Sequence, residues 1–517
     1  MATQWQTFPI QFKGGLMSNV SPLQQGTNNV GSATILQNFE PNKEGGYSKL
    51  KGFAKFSTTV VPGSGVVLGC KVINASKAVV ARSDGTLTEY HYGTGTSWTS
   101  LGDGTTLGGK VRSTDFNFDG TDKVIFVDGV NYPAIFNNST NALAFMVNDA
   151  SASTTADVAA ASQVAVFKNI AFYAKGSSLI YSVPFAPNDF TSGTGAGTLK
   201  VSTPITGLAV FREQLIVFGE NSIHKVTGSS STDFAVTSIT EKIGCLNAES
   251  IQEVGGDIMY MSPDGIRLLS ATDRIGDFGL DIASDPIAKD VSTFINSATS
   301  FSSIVIREKA QYRIFAYTAS EQAEQAKGLL ATKFSAQGSA QMAWATISGI
   351  KANVADSKYT GASETIFFAN EDGYIYKMET GSAFDGDNIE AIYESPYMPI
   401  ADPQVRKTFY KLTSYVEPTG TMSLDIGVKF DFNTSTNTGV MTPAVQTISS
   451  TGNALFTFGS TSSVYGTATY GGQFDNVYNN NLIGSGKTIS LRFSDISTNP
   501  SFTLDTAVIE FQPNDRQ

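Results

Sequence analysis

A turn recurs along this chain at nearly constant intervals. Asp84-Gly85, Asp128-Gly129, Gly176-Ser177, Glu220-Asn221, Asp264-Gly265 and Asp372-Gly373 each separate short apolar runs, with successive gaps of 44, 48, 44, 44 and 108 residues. Gly, Asn and Asp between such runs read as hairpin turns, because these residues accept the positive φ that tight turns demand. The stretch from Gly207 to Ser270 writes the design twice: Leu215 to Phe218 leads into one turn, and Asp257 to Ser262 into the next. A sheet this small cannot bury its own faces, so it needs neighbours like itself.

The first unit reads as four strands: Cys70 to Ile73, Lys77 to Arg82, Thr86 to Tyr92 and Trp98 to Leu101. The longest gap holds one further unit, at Ser303 to Arg307, Gln311 to Tyr317, Leu329 to Phe334 and Met342 to Ile347, lengthened by the polar loop Ala319 to Lys327. About seven four-stranded units of roughly 45 residues match the period of a propeller blade. Radial closure also leaves so many short strands without long exposed edges. The expected fold is therefore all-β, with a β-propeller over residues 61–398. A strand lent by the N-terminal segment to the last blade would change the blade count by one.

Two flanking regions differ in rhythm. Residues 1–60 read as an irregular segment with a basic strand and a short helix near Ala33 to Asn38. Residues 399–517 read as a separate antiparallel β-sandwich. Met422, Leu424, Ile426, Val428 and Phe430 alternate without error, as does Thr488 to Phe493. Phe502 and Leu504 resume as Ala507, Ile509 and Phe511 only after a one-residue slip, which predicts a bulge. The low-complexity stretches Asn148 to Ser162 and Thr191 to Gly197 are expected surface loops.

Net charge is −11, from 35 basic and 46 acidic residues. Tight binding of nucleic acid through phosphate neutralisation calls for a basic stripe, which the chain as a whole lacks. Cys70 and Cys245 are the two cysteines, so no disulfide framework is written here. The opening residues lack a secretion signal, and no run reaches the roughly 20 apolar residues of a membrane span. The expectation is a soluble protein made in a cytosol.

Few residues suggest chemistry. His91 and His224 lie in different units, without a second histidine or a cysteine at ligand spacing, so both are read as structural or surface residues. Asp115, Asn117 and Asp119 alternate before Gly120 as in a calcium loop, but Lys123 and Val127 stand where further ligands belong. A polar hairpin explains the pattern as well. The Asp-Gly turns lack the surrounding residues of sialidase Asp boxes, and Gly104 to Gly109 lacks the Lys-Ser/Thr ending of a phosphate loop. No cofactor and no catalytic activity are expected. Lys43, Lys49, Lys51 and Lys55 crowd one segment, read either as a solvated strand face or as a contact to a partner protein or DNA.

The residues Asn38-Phe-Glu-Pro-Asn-Lys-Glu-Gly-Gly-Tyr-Ser-Lys-Leu-Lys-Gly-Phe53 resemble the opening of phage tail nozzle and packaged-DNA stabilisation proteins. Lys51 stands where that family commonly has proline. Leu208 to Thr227, Ile243-Gly-Cys with Ser250-Ile, Asp257 to Ser270 and Ile509-Glu-Phe-Gln-Pro resemble the same group. The resemblance implies a structural virion protein of a short-tailed phage, a head-to-tail connector assembled in the host cytoplasm. It would form a ring, six-fold in that family, below the portal and adaptor. Its other partners would be tail fibre or needle proteins and, transiently, the double-stranded DNA passing through. An acidic wall suits such a conduit, because it lets duplex DNA slide. The alternative reading is a receptor- or glycan-binding tail protein built on a propeller.

Overall fold

The computed structural model describes residues 5–104, 106–146, 158–228, 230, 232–269, 282–336, 339–432, 445–450 and 476–514. Seven antiparallel sheets follow one another at 67–103, 112–145, 163–200, 205–240, 252–268, 300–348 and 354–378. These are the seven blades of a propeller, and a β-sandwich follows them. Blades one to four and blade six each contribute four strands of their own; blade five has three among the described residues. Blade seven supplies three, and its fourth, outermost strand is Phe53–Lys55 from the N-terminal segment, paired antiparallel to Ile375–Met378. The ring closes where Asp356 Oδ2 of blade seven accepts the Val72 N–H of blade one at 2.8 Å.

Packing between blades explains the composition of their strands. Asp257–Ser262 and Gln311–Tyr317 are buried along their whole length, because a neighbouring blade covers each face. Tyr90, Phe126 and Phe136 fill the seam between blades one and two. Phe172, Leu215 and Val217 fill that between blades three and four, and Phe218 meets Tyr260 at 5.3 Å between blades four and five. The turn at Asp372-Gly373 shows why glycine recurs in these hairpins: Gly373 has φ +79°, and a Cβ there would fall 2.1 Å from Arg82 Nη1 of blade one.

The sandwich and the propeller share strands. One sheet joins Phe39–Pro41, Tyr47–Lys49, Phe502–Pro513, Lys407–Pro418 and Val477–Gly486 in that order, with Gln6–Gln11 also paired to Phe502–Pro513. The facing sheet carries Ile389–Glu394, Ile489–Ser497, Met422–Phe430 and Gln446–Ser450, and it continues into blade six through Ile35–Gln37. Leu412, Ile509 and Phe511 of the first sheet and Leu424, Ile426 and Leu491 of the second share one core. The expected slip is present: Leu504 pairs with Val416 and Thr506 with Tyr415, leaving Asp505 as the extra residue of a bulge.

Two expectations for the N-terminal segment are corrected. It is not irregular, since its five strands are divided between sandwich and propeller. Ala33 to Asn38 holds the strand Ile35–Gln37, because Gln37 pairs with Thr346 on one side and Ile392 on the other. Long-range pairing of this kind overrides local helical preference. The helix lies earlier, at Pro22–Asn28, capped by Ser21 with Pro22 in its first turn. The loop expected over Asn148 to Ser162 falls mostly outside the described residues.

Candidate ligand pocket between the last two blades

The entries of several blades are tied together by committed side chains. Lys110 donates to the carbonyl oxygens of Phe301 at 2.5 Å and Asn353 at 2.6 Å, joining the entries of blades two, six and seven. Burial pushes its ammonium down to about 8, against the opposing pull of Glu249. Arg112 bonds Glu249 at 2.6 Å and the Ser162 carbonyl at 3.1 Å, while Asn353 donates to Val67 O at 2.8 Å. Each of these donors already has a protein acceptor, so the cluster pins the blade entries to one another.

The four lysines of the N-terminal segment do not form one face. Lys49 is corrected as a partner or DNA contact: it is 1% exposed and reaches Asp495 at 3.2 Å, Ser497 O at 3.0 Å and Asn499 O at 3.2 Å. Burial lowers its pKa against the pull of Asp495. Lys55 pairs with Asp385 at 3.1 Å and lies over the Tyr374 ring, and Lys43 donates to Glu308 O at 2.8 Å. Lys51 is exposed.

The calcium candidate is corrected as well. Asp115 pairs with Lys71 at 3.2 Å and with Lys358 at 3.5 Å, Asn117 donates to Asp122, and Asp119 takes Lys123 at 2.6 Å. These side chains face different partners, with Lys123 supplying the positive charge inside the loop. Among the described residues no group of three His, Cys, Asp or Glu is placed to hold a metal ion. His224 Nε2 lies 3.1 Å from Ser222 Oγ and 3.3 Å from Ser202 Oγ inside blade four, where burial lowers its pKa. His91 is buried in blade one.

A pocket of about 240 Å³ opens where blades six and seven meet the N-terminal segment and the link to the sandwich. Its floor is aromatic. Phe53 stacks on Phe384 at 5.0 Å and meets Phe368 and Tyr376 edge-on at 5.0 and 5.3 Å, while Phe368 stacks on Tyr376 at 5.2 Å. All four rings are buried, so each is held in place by the others. Gly349 lets the wall close over this floor: its φ is +92°, and a Cβ would stand 3.0 Å from the Phe384 ring.

The rim is polar and draws on distant parts of the chain. Blade six contributes Glu324 from its long loop, blade seven Asn370 and Asp372 from its turn, the link to the sandwich Asp385, Asp387 and Asn388, and the strand Ile389–Glu394 contributes Glu390. Asn38 braces the wall, donating to Glu390 O at 2.9 Å and accepting the Ser348 N–H at 2.9 Å. Asp372 accepts the Tyr376 hydroxyl at 2.6 Å and the Tyr374 N–H at 2.8 Å. That bond adds to burial in raising the Tyr376 pKa far above its ordinary value. Lys351, also in the lining, donates to Glu371, Ala319 O and Glu321 O.

Sequence reasoning found the pieces without the site. Ala319 to Lys327 stood out as an added loop and Asp372-Gly373 as a turn. The motif Asn38 to Phe53 was singled out for its resemblance, and both of its ends line the pocket. Nothing in the local pattern of Asp385 to Asn388 marks it, because those residues gain meaning only from strands hundreds of positions away.

A scan against protein-family models gives no match, and neither does a search of curated proteins. Among solved structures the chain is similar to extracellular domains of a one component system and of a hybrid two component system, both from B. thetaiotaomicron. Identities are 9% and 10% and TM-scores 0.38 and 0.35, over 70% and 60% of this chain. The chain spans less than half of those two structures, 43% and 39%. It is also similar to an exo-beta-1,3-galactanase from Phanerochaete chrysosporium, at 9% identity and TM-score 0.23, over 89% of this chain and 100% of that one. None of the three is a phage component. The tail-nozzle function expected from the resemblance is corrected on this finding, together with its virion, connector and DNA-ejection roles. Among the described residues no helix is long and apolar enough to cross a membrane.

Proposed function

We propose that this chain is a saccharide-binding propeller that does no chemistry on its ligand, and that the pocket between blades six and seven is its binding site. The observation that carries the reading is a locked floor of four aromatic rings beneath a rim of carboxylates and amides. A sugar ring presents an apolar C–H face and a belt of hydroxyls. It therefore calls for an apolar base and paired polar groups around it, the usual make-up of a small-molecule pocket. The opening has room for one sugar residue rather than a polymer groove.

Support for binding without cleavage comes from Asp372 on the rim and Glu371 behind it, which are committed inside the protein. Glycoside hydrolysis needs one carboxyl as acid and a second as nucleophile or base. Asp372 is held by Tyr376 and Tyr374, and Glu371 behind it by Lys351 and the Tyr317 hydroxyl at 2.9 Å. Both serve as acceptors that shape the wall.

The test is isothermal titration against short neutral, amino and acidic oligosaccharides, with a reducing-sugar assay on the same samples. The expected result is saturable binding to at least one class without product release. Absence of binding to every class, or turnover of any of them, overturns the proposal.

A further inference from the structure

We propose further that Lys351 is the positioning residue of this pocket: it clasps one wall to the other and so sets how tightly a sugar is held. The inference deepens the saccharide reading above and rests on it. The wall in question belongs to the long loop of blade six, whose Ala323 and Glu324 line the pocket. Burial does not hold that loop, since residues 319–325 are exposed, with Glu321 alone half-buried. A segment of this kind opens at little cost unless something ties it down.

The ties at its two ends are unequal. At the far end the Ser348 hydroxyl donates to Glu324 O at 2.9 Å, and the Gly349 N–H to Ala326 O at 3.3 Å. The near end depends on one ammonium. Lys351 Nζ donates to Ala319 O at 2.9 Å, to Glu321 O at 2.7 Å and to the carboxylate of Glu371. Among the described residues, Ala319 to Gln322 make no other hydrogen bond outside their own loop. Glu371 sits between the pocket residues Asn370 and Asp372 of the blade-seven turn, so a single side chain joins both sides of the mouth. The clasp is itself braced, because the Tyr317 hydroxyl donates to the second Glu371 oxygen at 2.9 Å. The Lys351 side chain is 6% exposed, which makes these charge-assisted bonds stronger than those of a surface pair.

Lys351 lies in the lining, yet an ammonium has three N–H donors and all three are committed within the protein. Its part in recognition is therefore to place the wall rather than to touch the sugar. Floor and wall are held by independent means: the four rings by their mutual packing, the loop by one cation. Removing that cation frees the first half of the loop and leaves the floor as it is. A wall that wanders must be ordered again on binding, and that cost is subtracted from the affinity.

The experiment pairs hydrogen exchange with titration calorimetry on the full chain, using tetramers of glucose, glucosamine and galacturonic acid. In Lys351→Met the amides of residues 319–325 are expected to exchange about tenfold faster than in the parent. The tetramer that the parent binds best should bind about tenfold more weakly. Amides of Ser363–Ala369 and Ile375–Met378, beneath the floor, should exchange as before. Glu371→Gln opens the clasp from its exposed side and should act in the same direction with smaller size. Lys351→Arg keeps charge and donors and should restore most of both effects. Unchanged exchange of the loop in Lys351→Met overturns the inference, as does a loosened loop with unchanged affinity; both leave the saccharide reading standing. Lost protection across the floor strands also overturns it, because Lys351 would then brace the fold at large. If the parent binds none of the three tetramers, the saccharide reading falls and this inference with it.

Discussion

Asn38 and Glu40 are two residues apart, yet they belong to polar clusters of opposite character. Glu40 joins a saturated network: Lys309 reaches it at 2.7 Å and Glu379 at 2.6 Å, Arg313 reaches them at 3.0 and 2.8 Å, and Gln311 donates to Glu40 at 3.1 Å. Two cations face two carboxylates there, with Arg313 only 1% exposed. Asn38 opens onto the pocket, where carboxylates outnumber cations and two have no side-chain partner among the described residues. The same side-chain types thus hold the fold in one place and stand ready in the other. The contrast lies in whether each charge already has its match inside the protein, since an unmatched buried charge is strongly destabilising and an unmatched exposed one is not.

Four measurements would break or sharpen that contrast. The largest effect is expected from Glu40→Ala, which leaves Arg313 and Lys309 short of a partner and should cost about 3–5 kcal/mol in urea unfolding. Glu324→Ala on the pocket rim should stay within about 0.5 kcal/mol of the parent; similar losses in both would erase the distinction.

The two lysines of one strand region offer a second comparison. Lys49→Met strands Asp495, whose Oδ2 is already buried without a partner, and should cost about 3 kcal/mol. Lys51→Met should be near neutral in the same melts.

Acid titration comes next. Burial alone would raise the Glu379 pKa, but Arg313 and Lys309 outweigh it and hold the carboxyl at about 2, against an ordinary 4.5. Its stabilisation is therefore complete above pH 4.5 and is lost as pH falls toward about 2, because the unfolded chain takes up the proton first. Urea midpoints followed through that window should fall more steeply in the parent than in Glu379→Gln. The smallest change in stability belongs to Asp387→Asn, which should weaken ligand binding about tenfold without moving the melting temperature.

The propeller was legible because its turns repeat. A hairpin turn every 44 or so residues is a local signal, and both the strands Lys77–Ser83 and Gln311–Tyr317 lie within a residue of where their apolar runs place them. The sandwich was legible for the same reason, since alternation from Met422 to Phe430 is written in one stretch. The pocket was not, because Phe53 joins Glu324, Asp372 and Asp387 only through a pairing across more than 300 positions. Lys49 misled because a lysine in a basic run looks solvated until Asp495, far along the chain, is placed beside it. The run of charge gives no sign of which member is enclosed.

Phe53–Lys55 is made early and finds its edge on Ile375–Met378 only after every other blade exists. Until then the ring stays open, and the aromatic floor lacks one of its four rings. Completion of the proposed site is thereby tied to the synthesis of blade seven: a chain that stops before Ile375 has no edge for Phe53–Lys55 to join. Removing Phe53–Lys55 would strip blade seven of its outer strand and the pocket of one ring, at the opposite end of the sequence from the strands it completes.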